Sequence, residues 1–294
     1  MQEKRENKKD GENSDIYNVE KTKEKGGIGM QAMLKYSGGK RNEIKYFKKY
    51  IPKEFDKYIE PFIGGGAVYF HLEPEKAIIN DINTPLIEFY KGIRDNYEKI
   101  YEELKELNEE YRDEEKREEL YYKIRDMYNG KIEVKYEPAA IYYFINKTAY
   151  SGMIRYNQKG EFNVPFGRYK NINIDAISEE HHKLLKKTKI YNENFEKIIK
   201  MAKKDDFVFL DPPYDTTFKE YGNLKNDFGE NEHRKLAKIF KESKAKIMLV
   251  ISETPLILEL YGDYVVDTYE KRYAVNIKNR FKSKAKHLII KNYE

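Results

Sequence analysis

Apolar residues along this chain fall into short continuous runs separated by longer amphipathic stretches. The run 76–81, Lys-Ala-Ile-Ile-Asn-Asp, is brief, apolar and closed by an acid, as expected of a strand buried on both faces. Runs at 206–210, 246–251, 264–267 and 287–292 have the same character, and 55–63 reads as a strand running into Gly64-Gly65-Gly66. Between them the period becomes helical. Ile44, Phe47 and Tyr50 share one face of a helix over 44–50, and further helices are predicted over 67–72, 138–147 and 233–243. The charged stretch 85–128, densest over 101–123, predicts a solvated helix pair laced with i,i+4 ion pairs. Strands alternating with helices imply an α/β fold with a mostly parallel sheet covered on both faces. A long helical insertion separates Asp81 from Asp206. The expected division is a disordered tail over 1–29, a discontinuous core over 30–90 and 186–294, and a helical lobe over 91–185.

Composition narrows the classes. A length of 294 residues with 39% hydrophobic content is enough for a sizeable core. A mean hydropathy of −0.90 argues against a bilayer protein, as does the lack of any run near the ~18 apolar residues of a spanning helix. The charged N-terminus has no apolar centre for export, so a cytoplasmic protein is expected. With no cysteine, structural disulfides, thiolate zinc sites and thiol nucleophiles are excluded, and five scattered histidines make a metal centre unexpected. A net charge of +5 fits a polyanionic partner and a merely lysine-rich composition equally well.

Two places carry candidate chemistry. In open α/β sheets ligands bind beyond the carboxyl ends of strands. The glycine turn sits at one such end and Asp81 at the next, placed to accept from both hydroxyls of a ribose, which suggests a nucleoside-bearing cofactor. The dinucleotide spacing G-x-G-x-x-G is broken by Tyr69, which argues against an oxidoreductase. The second place is Asp211-Pro212-Pro213-Tyr214, after four apolar residues. The prolines remove two donors and leave carbonyls to face a cleft. Asp211 with the Pro212 carbonyl suits a planar ligand bearing an amino group, which Tyr214 can stack upon.

The chain resembles the Dam-type DNA adenine methyltransferases. The shared motifs, in the family's order, are Lys35-Tyr-Ser-Gly-Gly-Lys40, Glu60-Pro-Phe-Ile-Gly-Gly-Gly66, Asp81-Ile-Asn83, Arg155-Tyr-Asn157, Glu161-Phe-Asn-Val-Pro-Phe-Gly-Arg-Tyr169 and Asp211-Pro-Pro-Tyr214. The likeness runs from about Met33 onward, and the family often has Trp at 36 and Asn at 151. It implies a Rossmann-like, S-adenosyl-L-methionine-dependent methyltransferase core, of mixed, mostly parallel sheet, with an inserted helical DNA-recognition lobe. On the family pattern Tyr36, Lys40, Glu60, Phe62, Gly64, Gly66, Asp81, Ile82 and Asp211 contact the cofactor. Asp211, Pro212, Pro213 and Tyr214 hold the target base for catalysis. Tyr150, Met153, Arg155, Asn157, Pro165 and Arg168 contact double-stranded DNA, with Tyr150 wedging into the stack and Arg155 reading guanine. Lys147 and Lys159 in the same basic segment are expected on phosphates. The implied reaction methylates the 6-amino group of a flipped adenine, at GATC or another GA-containing site, by direct transfer without a metal. The missing cysteine excludes the thiol-dependent methylation of cytosine carbon. A monomer is expected, with a cognate restriction endonuclease encoded nearby as a candidate partner. The alternatives are a non-catalytic nucleic-acid-binding protein, or a methyltransferase acting on RNA or a protein amide. The basic stretch over 271–286 reads either as a hairpin loop near the DNA backbone or as ordinary lysine-rich surface.

Overall fold

The computed structural model describes residues 17–18, 29–36, 38–214, 228–272 and 284–294. Most of the expected 1–29 tail lies outside the described residues. Within it β1 (Tyr17–Asn18) pairs antiparallel with β2 (Glu54–Phe55) as a two-stranded ribbon. Between them α1 (Ile44–Phe47) runs on into a tight turn at Lys48–Tyr50. The chain continues through β3 (Tyr58–Glu60), α2 (Ala67–Leu72) and β4 (Ala77–Asn80). Then come α3 (Thr84–Tyr111), α4 (Arg117–Tyr128), α5 (Pro138–Thr148) and α6 (Glu179–Lys186). After β5 (Thr188–Tyr191) follow α7 (Phe195–Ile199), β6 (Phe207–Leu210), α8 (Glu230–Glu242) and β7 (Lys246–Ser252). Last come α9 (Pro255–Tyr261), β8 (Val265–Arg272) and β9 (Lys284–Lys291).

Seven strands form one sheet in the order β5-β4-β3-β6-β7-β9-β8, all parallel except β9, which runs against both its neighbours. The chain builds outward from β3 through β4 to β5, then returns to place β6 and β7 on the other side. The direction of winding therefore reverses between β3 and β6, where a ligand crevice is expected. The sheet is mostly parallel, as the alternation of strands and helices implies, and mixed, as the family resemblance implies.

The central strands β3, β4, β6 and β7 are buried almost throughout because both faces are covered. Phe207, Phe209, Met248 and Val250 pack with α1, α2, α3 and α5, while Val208, Leu210, Ile247 and Leu249 pack with α7, α8 and α9. The first cluster continues without a break into α3 and α4 through Ile100, Leu104, Tyr111, Leu120 and Ile124.

Several expectations change. The strand expected over 55–63 divides between the ribbon and β3, which stops at Glu60 because Pro61 has no N–H for the ladder. The 85–128 helix pair is solvated on its outer face only, since α3 and α4 bury a continuous inner face. Among the described residues its helix-spaced ion pairs, Lys105–Glu102, Arg112–Glu109, Lys116–Asp113 and Arg117–Glu114, are i,i+3 rather than i,i+4, and Arg94 pairs with its neighbour Asp95. The stretch between Asp81 and Asp206 is not wholly a helical insertion, because β5 lies within it and pairs with β4 at the sheet edge. Of the basic stretch over 271–286, Lys278, Arg280 and Lys282 lie outside the described residues. Lys271 turns inward onto Glu43, so it is not lysine-rich surface.

Candidate active site

Three neighbouring strands each end in an acid. Glu60 is the last residue of β3, Asp81 follows β4, and Asp211 follows β6. They lie on both sides of the winding reversal. The Asp211 end meets a buried cation, Lys40, which is 2% exposed. Its Nζ lies 2.5 Å from Asp211 Oδ1, 2.8 Å from the Tyr214 hydroxyl and 3.4 Å from the Gly38 carbonyl. Sequence positions 40, 211 and 214 thus converge on one point at the head of β6.

Asp81 organises the glycine turn. Its Oδ2 accepts Gly64 N–H and its Oδ1 accepts Asn83 N–H, both at 3.0 Å. Burial raises its pKa, and these backbone donors oppose the rise. Tyr90 donates to the Gly64 carbonyl at 2.7 Å. The glycines themselves are needed for packing. Gly64 and Gly66 hold φ of +45° and +71°. A Cβ would meet the Tyr36 ring at 2.8 Å from position 64 and the Phe70 ring at 2.7 Å from position 66. Tyr69, the residue that broke the dinucleotide spacing, is fully buried under the turn with its hydroxyl 2.7 Å from Thr188 Oγ1. Asn80, also buried, donates to the Pro61 and Glu193 carbonyls at 2.9 and 3.0 Å and so fixes two strand-end loops together.

Glu60 accepts a hydrogen bond from Tyr58 at 2.8 Å. Burial pushes its pKa well above the usual carboxyl range against that hydrogen bond, and the charges of Asp211 and Asp81 push the same way. A raised pKa means the native state keeps a proton that the unfolded chain has released. Stability is then fully present below the unfolded pKa and declines as pH rises through the folded one. Glu60→Gln keeps an acceptor for Tyr58 and removes this titration. It is expected to lose the wild type's decline in stability as pH rises above the ordinary glutamate pKa. Urea unfolding at a series of pH values checks this, and parallel curves for the two proteins would contradict it.

The apolar side of the site holds Phe62 and the exposed Ile82, 47% accessible beside Asp81. The Phe62 ring lies 5.5 Å from both Phe195 and Phe228. Sequence reasoning missed Phe195 and Phe228, the first because the strand before it, β5, does not stand out in the sequence. Acceptors outnumber cations here, and diol acceptors, an ammonium acceptor and aromatic faces lie close together. That donor set suits a nucleoside ligand of net positive charge, as S-adenosyl-L-methionine is. Among the described residues no group of three or more His, Cys, Asp or Glu side chains could hold a metal ion.

The basic segment forms a folded loop after α5. Isolated bridges join Ala149 to Phe166 and Tyr156 to Phe162, and Tyr150 N–H donates to the Pro165 carbonyl at 2.9 Å. Tyr150 is 53% exposed. Arg155 is exposed, its Nε held 2.9 Å from Asn163 Oδ1. Met153 is half-buried, and Arg168 is exposed at a φ of +55°. Asn157 organises the loop from within, accepting Lys159 and Glu161 N–H and donating to the Glu161 carboxylate. Lys159 is exposed, but Lys147 is not available to a phosphate. It is 6% exposed and donates to the Met33 carbonyl, and burial with the nearby Lys35 charge brings its pKa down to about 8. Asn146 meanwhile bonds both backbone groups of Lys35, at 2.9 and 2.8 Å, so the root of this loop is tied to the segment that carries Tyr36.

A family model described as D12 class N6 adenine-specific DNA methyltransferase matches residues 36–277. Type II methyltransferase M.CviBI of Paramecium bursaria Chlorella virus NC1A is 39% identical over 272 residues, covering 90% of this chain and all of that protein. Type II methyltransferase M.MjaIII of Methanocaldococcus jannaschii is 38% identical, covering 90% of this chain and 99% of its own length. The DNA adenine methylase of Haemophilus influenzae is 32% identical over 78% of this chain and 82% of that protein.

Proposed function

The chain belongs to the D12 class of N6 adenine-specific DNA methyltransferases, and from that premise we propose how its site reads and modifies DNA. The methyl group of S-adenosyl-L-methionine is transferred to the 6-amino group of an adenine flipped out of duplex DNA, at GATC or another GA-containing site. The observation that carries this reading is the meeting of Lys40, Asp211 and Tyr214 beside an acidic strand edge. The RNA, protein-amide and non-catalytic alternatives have no observation in their favour.

When bound, the cofactor supplies an electrophilic methyl group on a sulfonium sulfur. Asp81 would accept from the ribose hydroxyls, while Phe62 and Ile82 would cover the adenine. Tyr36 and the Gly64–Gly66 backbone bound the methionine end, and Glu60 and Asp211 face its positive charge. The target adenine stacks on Tyr214 and donates its 6-amino hydrogens to Asp211 and the Pro212 carbonyl. Those hydrogen bonds draw the nitrogen lone pair out of ring conjugation. Asp211 and the Pro212 carbonyl would hold the amine nitrogen towards the methyl group that the bound cofactor supplies, and the amine's proton would leave by way of Asp211 to water. Most of the acceleration comes from holding the two reactants in line.

Residues 91–185 act as the recognition lobe, with Tyr150 entering the base stack, Met153 and Pro165 making apolar contacts, and Asn157 and Arg168 completing the DNA face. Asn163 orients the Arg155 fork towards guanine. The protein acts as a monomer, and a cognate restriction endonuclease encoded nearby is a candidate companion. Methylation-sensitive sequencing of DNA from cells expressing this chain tests the function directly, and unmodified adenines throughout would refute it. Arg155→Ala is expected to weaken action on the cognate site by ~1–3 kcal/mol and to relax preference at one base pair. Lys159→Ala should weaken binding to all sequences alike and lower the salt dependence by about one charge. Rates on duplexes each carrying one substituted base pair separate the two roles. A uniform loss across the panel for Arg155→Ala makes that residue a phosphate contact instead.

A further inference from the structure

Beside the Lys40–Asp211 pair lies a second buried cluster that the steps above do not use. Glu43 stands one turn beyond Lys40, its N–H donating to the Lys40 carbonyl at 2.7 Å, and is 4% exposed. Its carboxylate accepts the Tyr269 hydroxyl at 2.5 Å and Lys271 Nζ at 2.6 Å, and lies 3.2 Å from His287 Nδ1. His287 is fully buried, with Nε2 3.1 Å from Ser252 Oγ and its ring edge-on to Tyr214 at 5.5 Å. These groups come from α1's leading turn, β7, β8 and β9, so four distant segments converge behind the base-holding tetrapeptide.

A carboxylate that must accept hydrogen bonds from a weakly acidic amine is poorly served by a tight ammonium partner, which withdraws its electron density. Lys40 is such a partner for Asp211, and Lys271 adds a second positive field. Glu43 is the nearby anion that offsets both. We propose that Glu43 is a positioning residue for methyl transfer, whose charge offsets Lys40 and Lys271 and keeps Asp211 a strong acceptor for the target amine. The inference rests on the role given to Asp211 above.

The electrostatics have consistent signs. Asp211 faces Lys40, Tyr214, Glu43 and Lys271, and Glu60, Tyr58 and Tyr269 also feel its charge. Burial raises its pKa, Lys40 lowers it, Glu43 raises it and Lys271 lowers it. Glu43 itself is pushed up by burial, but hydrogen bonds from His287, Lys271 and Tyr269 and the charge of Lys40 outweigh this and hold it at about 2. It stays ionised throughout the working range. Burial lowers the His287 pKa, and its hydrogen bond to Glu43 opposes that shift.

Single-turnover methylation rates against pH, at saturating cofactor and duplex, test the inference on four proteins. Relative to wild type, Glu43→Gln should move the acid limb to lower pH by about half a unit, with a several-fold lower plateau and an unchanged KM for cofactor. Lys271→Met should move the same limb to higher pH. Simple damage to packing has no reason to move the two limbs in opposite directions. Limbs that stay in place, or that move together, overturn the proposal. Should Glu43→Gln fail to fold by circular dichroism, the direction of the Lys271→Met shift alone decides. Asp211→Ala is the fourth protein. Near wild-type turnover in it would overturn the role of Asp211, whereas its inactivity with unmoved limbs in the other two overturns only that of Glu43.

Discussion

Asp211→Ala is expected to reduce methyl transfer by about 10²–10⁴-fold, the range seen when a positioned proton-handling group is removed, and also to destabilise the fold. From the sequence alone the variant looks structurally benign, because Asp211 follows a strand and precedes two prolines. The structure adds a second consequence. Lys40 is 2% exposed and Asp211 21%, so the substitution strands an ammonium in a buried site. Breaking such a pair by deleting one partner costs about 3–5 kcal/mol. The Glu43 carboxylate nearby should hold the loss towards the lower figure. For a domain of this size that corresponds to a drop of very roughly 10 °C in melting temperature. Asp211→Asn separates the two effects, since it keeps the shape and one acceptor oxygen while losing the charge. Calorimetric melting and incorporation of labelled methyl groups into duplex DNA check both halves. A variant that retains near wild-type turnover removes Asp211 from the chemistry.

Asp81→Ala is expected to weaken S-adenosyl-L-methionine binding by ~1.5–3 kcal/mol, the usual worth of hydrogen bonds to a charged acceptor, which is about 10–150-fold in Kd. Part of that loss arises inside the protein. Gly64 and Asn83 N–H both point at this carboxylate, so its removal frees the glycine turn as well as the ribose site. Asp81→Asn, which keeps one of the two acceptor oxygens, should fall between wild type and Ala. Titration calorimetry with the cofactor gives the order directly, and equal affinities for all three proteins would remove Asp81 from the binding site.

Much of this was legible before any coordinates. Continuous apolar runs such as Phe207-Val-Phe-Leu210 can only be strands buried on both faces, and the acids that follow them name the sheet edge where a ligand sits. The glycine turn and Asp-Pro-Pro-Tyr were visible because Gly and Pro restrict the backbone strongly and locally. What escaped was decided by long-range packing. The edge strand β5 carries exposed Lys189 among only four residues, too weak a period to stand out. Lys147 and Lys271 look like surface lysines because charge is readable in a sequence and burial is not. Glu43 stands in a segment whose only visible pattern is helical, and its three partners come from residues 226 to 244 positions away.

The placement of β9 between β7 and β8 has a consequence for how the protein is made. A strand that comes after all the others in the described order is not at the sheet's edge but inside it, hydrogen-bonded on both sides. Just beyond it Asn292 accepts Ile247 N–H at 2.7 Å and donates to the Ala245 carbonyl at 3.0 Å, closing the start of β7. During synthesis Lys40, the glycine turn and Asp211 all emerge before β9 exists, yet His287, which lies against Tyr214 and Glu43, arrives only with it. A nascent chain therefore carries the residues of the active site without the strand that completes their surroundings, and it presents an unpaired β7 edge in the meantime. Competence comes only when residues 284–291 pair with β7 and bring β8 into the sheet beside them.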